Sequence, residues 1–278
     1  ALGSVLCFGR FGGRLFGVLR FIFCFFRFQC MPSGCVYIFN VFGIQVTHYF
    51  FKETEILMVS KEVEKILPLV QKPGRYIGGE LNSVVKDKTQ VKLRYAFCFP
   101  DTYEIGMSHL GMKILYSIAN ERKDVWCERV FAPWHDMEEQ MRKNDILLYA
   151  LESGDAIKNF DLIGFTLMYE LSFSNVLNML DLAGLPVRAA DRKSLTPIVV
   201  GGGPCACNPE PMAEFFDVFS LGEGEEMYEP FFDLLEECKK NKSSKEEFLR
   251  RVSKLDGFYV PSLYDVRYNA DKTIKSVT

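Results

Sequence analysis

Four short stretches of this sequence carry the residue types that a ligand site needs. The first holds Asp101, Thr102, Tyr103, Glu104, Ile105 and Gly106. A short carboxylate caps a chain reversal, and a glycine lets a ligand or another backbone approach closely. The second begins Thr166, Leu167, Met168. The third is Gly201, Gly202, Gly203 and Pro204. Consecutive glycines lose much conformational entropy on folding, so a triplet points to unusual torsions or to close contact. The fourth is Gly222, Glu223, Gly224, Glu225 and Glu226. Carboxylates favour a helix N-terminus by up to ~1 kcal/mol, and they can also meet ligand hydroxyls, amides or a neighbouring domain.

The same residues exclude several chemistries. No Gly-Lys-Ser/Thr follows the glycine triplet, so it is not a lysine-bearing phosphate loop. No Gly-x-Gly-x-x-Gly follows the first strand, which leaves a nicotinamide dinucleotide site without support. Cys205 and Cys207 are one residue apart rather than the usual two to four, and no second pair lies nearby. His109 and His135 stand alone, which favours loop or packing roles over ligation. No Ser/His/Asp set is evident, so neither catalytic residues nor metal ligands are assigned. A net charge of −3 argues against a binder that neutralises nucleic-acid phosphates. Nine cysteines, an odd number at irregular spacings, do not make a disulfide framework and fit a reducing cytoplasm.

The elements that must position these loops follow a repeating pattern. A helix is expected over residues 60–70, then a two-glycine loop over 75–82 that packs the arm 58–91 on the domain. Strands are expected at 92–99, 129–132, 146–151, 160–167, 197–200 and 218–221. Helices are expected at 108–122, 136–144, 175–183, 227–240 and 246–255. Strands alternating with helices give an α/β, doubly wound, mostly parallel Rossmann-like sheet, here over residues 92–240. Right-handed crossovers then bring all four loops to the C-terminal edge of the sheet, where ligands of open α/β sheets bind. Residues 241–278 read as a linker or a hairpin.

Residues 1–57 differ from the rest. They hold twelve of the 25 phenylalanines and no acidic residue before Glu53. Arg14, Arg20 and Arg27 interrupt the apolar stretch 11–28, which weighs against a membrane span or a signal peptide. The favoured reading is an irregular extension never selected to fold.

Taken in order, several phrases carry a resemblance: LPLVQKPGRYIGGELN at 67–82, FPDTYEIGMSHLG at 99–111, RVFAPW at 129–134, NVLNMLDLAG at 175–184, GGGPC at 201–205, NPEP at 208–211 and GEGE at 222–225. Residues 58–278 resemble the N-terminal part of a family of radical S-adenosylmethionine (radical SAM) proteins, of unknown substrate, that carry a cobalamin-binding-like domain. The resemblance implies a fold of the cobalamin-binding type, with cobalamin contacts from the four loops. The fold's usual Asp-x-His-x-x-Gly loop is matched by Asp101 and Gly106, but Tyr103 replaces the histidine that can ligate cobalt. Thr166 and Leu167 approximate its Ser-x-Leu, and Gly201, Gly202 and Gly203 its glycine pair. Gly222, Glu223, Gly224 and Glu225 complete the implied site.

The family's chemistry needs a 4Fe–4S cluster on Cys-x3-Cys-x2-Cys and S-adenosylmethionine at the open iron. No such triplet occurs here. The resemblance therefore implies an accessory domain whose partner, a downstream radical SAM domain, follows the segment at Thr278. The alternatives are a noncatalytic cobalamin carrier or sensor, and a purely structural docking module.

Overall fold

The computed structural model describes residues 26–31, 34–41, 44–50 and 59–278. The chain divides into two units, residues 1–56 and 57–278. In the first, strands β1 (Phe26–Met31), β2 (Gly34–Val41) and β3 (Ile44–Phe50) form an antiparallel sheet in that order. The expectations for residues 1–57 otherwise lie outside the described residues. Among the described residues, no helix is long and apolar enough to cross a membrane.

In the second unit, Ser60 accepts the amide of Val63 and starts helix α1 (Lys61–Ile66). The expected helix is shortened because Pro68 has no N–H to continue the ladder, and the chain tightens into a 3₁₀ turn at Leu67–Leu69. An arm then runs across the domain to strand β4 (Leu93–Phe99), held by side chains it passes. Tyr149 donates its hydroxyl to the Tyr76 carbonyl at 2.9 Å, and Trp126 donates its indole N–H to the Val84 carbonyl at 2.9 Å.

Then follow α2 (Tyr103–Ser108), α3 (Leu110–Glu121), β5 (Val125–Phe131), α4 (His135–Lys143), β6 (Leu162–Thr166), α5 (Phe173–Leu182), β7 (Ile198–Gly202), β8 (Val218–Ser220), α6 (Gly224–Asn241), α7 (Lys245–Val252) and β9 (Phe258–Tyr259). A hairpin of β10 (Val266–Tyr268) and β11 (Ile274–Val277) comes last. The main sheet has the order β5-β4-β6-β7-β8-β9, parallel except for β9. The chain leaves β4 for one side and returns to the other at β6, so the switch point lies between the C-terminal ends of β4 and β6.

Helices cover both faces. α3 and α6 share one, joined by Arg122 to Glu229 and Asp233 at 2.9 and 2.6 Å. α4 and α5 share the other, joined by Arg142 to Asp181 at 2.8 Å. Strands covered on both sides read as apolar runs, and six of the seven residues of β4 are buried. Two 3₁₀ turns, Pro204–Cys207 and Glu210–Met212, replace a helix between β7 and β8.

Three expectations need correction. The helix expected over 108–122 forms as α3, but the stretch 101–106, expected as a loop, is largely taken up by the short helix α2; the His109 ring separates the two by capping α3, its Nδ1 accepting the Met112 amide at 3.1 Å. β5 begins at Val125, four residues before the expected start at 129. Residues 146–151 are not a strand. Their amides disperse to different partners: Leu148 to the Leu182 carbonyl at 3.0 Å, Ala150 to Asp155 at 3.0 Å, and Leu151 to Arg129 at 2.9 Å. Only Tyr149 and Ala156 form an isolated bridge. The run is apolar because it is buried, and periodicity alone cannot distinguish that from a ladder.

β5 also buries a carboxylate. Glu128 accepts from Arg94, which lies 4.0 Å over the Phe160 ring and reaches Asp155 at 2.7 Å. The second oxygen of Glu128 has no partner. Burial pushes this carboxyl up to about 7, overriding the attraction of Arg94. A carboxyl raised above its unfolded value stabilises the fold at low pH and loses that contribution as pH climbs toward and through 7. This group should therefore cost the protein up to ~3 kcal/mol between pH 5 and pH 8. Urea unfolding across that window should show a flatter pH dependence for Glu128→Gln than for the wild type. Parallel curves would show that Glu128 is ionised throughout.

Candidate functional site at the C-terminal edge of the sheet

The loops after β4, β6 and β7 meet at this edge. Asp101 accepts the Thr102 amide at 2.7 Å through Oδ1 and the Tyr169 hydroxyl through Oδ2. That second bond ties the loop after β4 to the loop after β6, across the switch point. Asn175 donates to the Pro100 carbonyl at 2.9 Å and anchors the same turn on α5. The Leu167 amide donates to the Gly202 carbonyl at 2.6 Å, and the Cys205 amide to the Leu167 carbonyl at 3.0 Å. Thr166 is buried at the end of β6.

The fourth loop stands apart from that cluster. Gly222, with φ at +142°, precedes Glu223 at the N-cap of α6, and a Cβ on Gly224 would meet Leu115 of α3 at 3.0 Å. Glu225 and Glu226 occupy the first turn of α6, where its dipole favours them.

Tyr103 opens α2, and its hydroxyl donates to Glu80 Oε1 at 2.7 Å. Burial, followed by that carboxylate, pushes the phenol up to about 12, so it stays a donor. Glu80 Oε2 accepts from Ser83 at 3.0 Å and from Arg129 at 2.7 Å. Arg129 also reaches Glu152 at 2.6 Å, and burial raises the Glu152 carboxyl. The position where the cobalamin loop carries histidine is therefore committed to the protein's own arm.

Glu80, Arg129, Glu152 and Tyr116 were missed as a cluster by sequence reasoning. The available signal was two adjacent charges, Glu128 and Arg129, inside an otherwise apolar strand. A cleft of about 660 Å³ lies beside the cluster, between the arm and α3, with Met107, Met112 and Tyr116 in its wall.

The glycines separate by what surrounds them. A Cβ on Gly106 would sit 2.2 Å from the Phe131 ring and 3.1 Å from Phe99. One on Gly201 would meet Phe219 at 3.0 Å and Leu167 at 3.1 Å. Gly203, with φ at +95°, would bring one within 3.0 Å of the Leu167 carbonyl. Protein atoms account for all three. Gly202 differs, its nearest neighbour being Ser220 at 3.8 Å.

Below the edge, on the side that α6 covers, there is little space. Sites for ligands much smaller than a corrinoid run to ~300–1,000 Å³. Between the sheet and α6 the cavity is about 40 Å³, filled in by Tyr95, Tyr228 and Phe232. Among the described residues there is no group of three or more His, Cys, Asp or Glu that could hold a metal ion. His109 is not a substitute ligand: its Nδ1 accepts a backbone amide, so the neutral ring carries its proton on Nε2 and offers a donor there. What the edge does present is apolar surface. Ile105 and Leu110 lie beyond β4, 49% and 68% exposed, and Leu171 lies beyond β6, 87% exposed, next to half-open Tyr169.

Substitution separates a packing glycine from an open one. Gly106→Ala should cost about 2 kcal/mol through overpacking against Phe131. Gly202→Ala should fall within about 0.5 kcal/mol of wild type, as open surface positions do. Thermal or urea unfolding of the two variants checks this, and equal losses would contradict the packing.

Residues 111–261 match the family model described as "Radical SAM proteins, N-terminal". An uncharacterized protein of Methanocaldococcus jannaschii, MJ0966, is 30% identical over 129 residues, which are 46% of this chain and 23% of that protein. The chain thus aligns with about a quarter of that relative's length. No solved structure matches. The family model spans more than half of the chain, from the start of α3 to just beyond β9, and the chain belongs to the N-terminal family of radical SAM proteins.

Proposed function

We propose that residues 92–240 form an accessory domain of a radical SAM iron–sulfur enzyme and dock its catalytic domain through the C-terminal edge of the sheet. The observation that carries this is the exposed apolar set Ile105, Leu110, Tyr169 and Leu171 at the switch point. Large apolar side chains left exposed on adjoining loops are the kind of surface that a partner covers. Family membership supplies the partner, a downstream radical SAM domain. That domain would contribute the 4Fe–4S cluster, on its own cysteine triplet, and S-adenosylmethionine. This chain's residues would contribute shape: the Tyr169–Asp101 bond fixes the two apolar loops relative to each other.

A second reading uses the same edge as a platform for a cobalamin without a protein ligand. It is favoured by the open position at Gly202, beside the switch point where α/β sheets bind ligands. With Tyr103 bound to Glu80, such a cofactor would lie on the loops rather than enter the domain.

Hydrogen exchange distinguishes docking from an idle surface. Joined to a radical SAM domain of the family, residues 103–110 and 166–171 should exchange at least ~tenfold more slowly than in this chain alone, as buried amides do. Ile105→Glu with Leu171→Glu should abolish that protection. Unchanged exchange in the joined protein would reject docking through this edge. Titration with hydroxocobalamin decides the second reading: an absorbance change lost in Gly202→Trp supports it, and no change at high micromolar ligand excludes it.

A further inference from the structure

A second cleft, of about 630 Å³, opens at the opposite edge of the sheet, where β7 and β8 begin. The turn holding Arg192, the segment before β8, the start of α7 and Pro261–Leu263 form its walls. We infer that this cleft is a binding site for a small organic oxyanion, a carboxylate or phosphate on an apolar body.

The charge balance points there. Asp217 sits between two cations, Lys245 at 2.7 Å and Arg192 at 3.3 Å. The three side chains are 1%, 10% and 3% exposed. Asp217 also accepts the Val199 amide at 2.8 Å, so its acceptor capacity is largely used. Two cations against one carboxylate leave one positive charge in excess in a buried place, which is costly without a counter-charge. Burial lowers the Lys245 pKa despite Asp217, as an under-compensated cation requires.

Arg192 is also short of an acceptor. Its terminal nitrogens donate to the carbonyls of Pro186, Val187 and Phe215, at 2.9, 2.9 and 2.8 Å. Its Nε is buried with no partner. The two other acidic residues in the cleft wall are already engaged, Glu214 with Arg188 and Glu246 with Arg250. Exposed Lys193 lines the cleft without an ion-pair partner among the described residues. Ala190, Ala213, Phe216 and Leu249 make the rest of the wall apolar. A volume of this size suits a small organic molecule, with one anionic head toward the cations. The inference does not depend on the docking edge or on the family.

The test is isothermal titration of the full chain with phenyl phosphate, benzoate and neutral benzamide, with amide shifts mapped by NMR. At least one of the two anions should bind with Kd below ~1 mM, a modest affinity for such fragments. Benzamide should not bind. Shifts should concentrate at 189–193, 213–217 and 245–249. Which anion binds distinguishes a phosphate from a carboxylate ligand. Lys193→Glu, an exposed substitution, should weaken binding at least ~tenfold with an unchanged melting temperature, because it replaces an attraction with a repulsion. Failure of both anions at 10 mM (about ten times that Kd), shifts confined to other surfaces, or full affinity in Lys193→Glu would each overturn the assignment.

Discussion

The buried guanidinium of Arg129 holds together the parts of this fold that have no ladder of their own. It sits on edge strand β5 and reaches three directions at once. Glu80 and Ser83, both at 2.7 Å, fasten the arm. Glu152, at 2.6 Å, fastens the irregular segment after α4. Met107, through its sulfur at 3.2 Å, fastens α2. The Tyr116 ring of α3 lies 5.0 Å from the guanidinium. A buried charge is tolerated only when its partners are complete, and removing one typically costs ~3–5 kcal/mol. The arrangement therefore makes arm, edge strand and the loop after β4 a single cooperative unit.

That unit also accounts for the part Tyr103 plays. A phenol at this position is long enough to reach Glu80 and stays protonated beside it. The loop retains Asp101 and Gly106, yet both serve the protein: Asp101 receives Tyr169, and Gly106 makes room for Phe131. A loop whose polar atoms bond one another has little left to offer a ligand below the edge. The proposed docking would use the side chains that the loops leave exposed.

Much of this was legible in the sequence, for definable reasons. β4 and β6 declare themselves by continuous apolar runs, and helices such as α5 by period and a terminal glycine. Right-handed crossovers then fix the edge on which Thr166, Gly201 and Gly222 emerge. Two of the failures share one cause. The run 146–151 and the start of β5 are decided by long-range partners, Leu182 and Arg129 for one and β4 for the other, which no local pattern reveals. His109 differs: its ring caps α3 by a local contact, to the amide three residues on, whereas its type and spacing said only that it stands alone.

The two edges of the sheet divide the work in opposite ways. At the C-terminal edge, polar groups are mutually satisfied and apolar groups are exposed, which suits a broad surface that another domain covers. At the N-terminal edges of β7 and β8, apolar groups line the wall and cationic groups lie buried around one carboxylate, which suits a small anion. Parallel strands place these environments at opposite ends of the same hydrophobic core. One structural link between the two ends runs through β7 and β8. β7 joins them directly: Val199 donates to Asp217 in the cleft, and three residues later Gly202 accepts from Leu167 at the C-terminal edge. Coupling along this link requires that strand to shift, and the backbone bonds at both its ends resist such a shift.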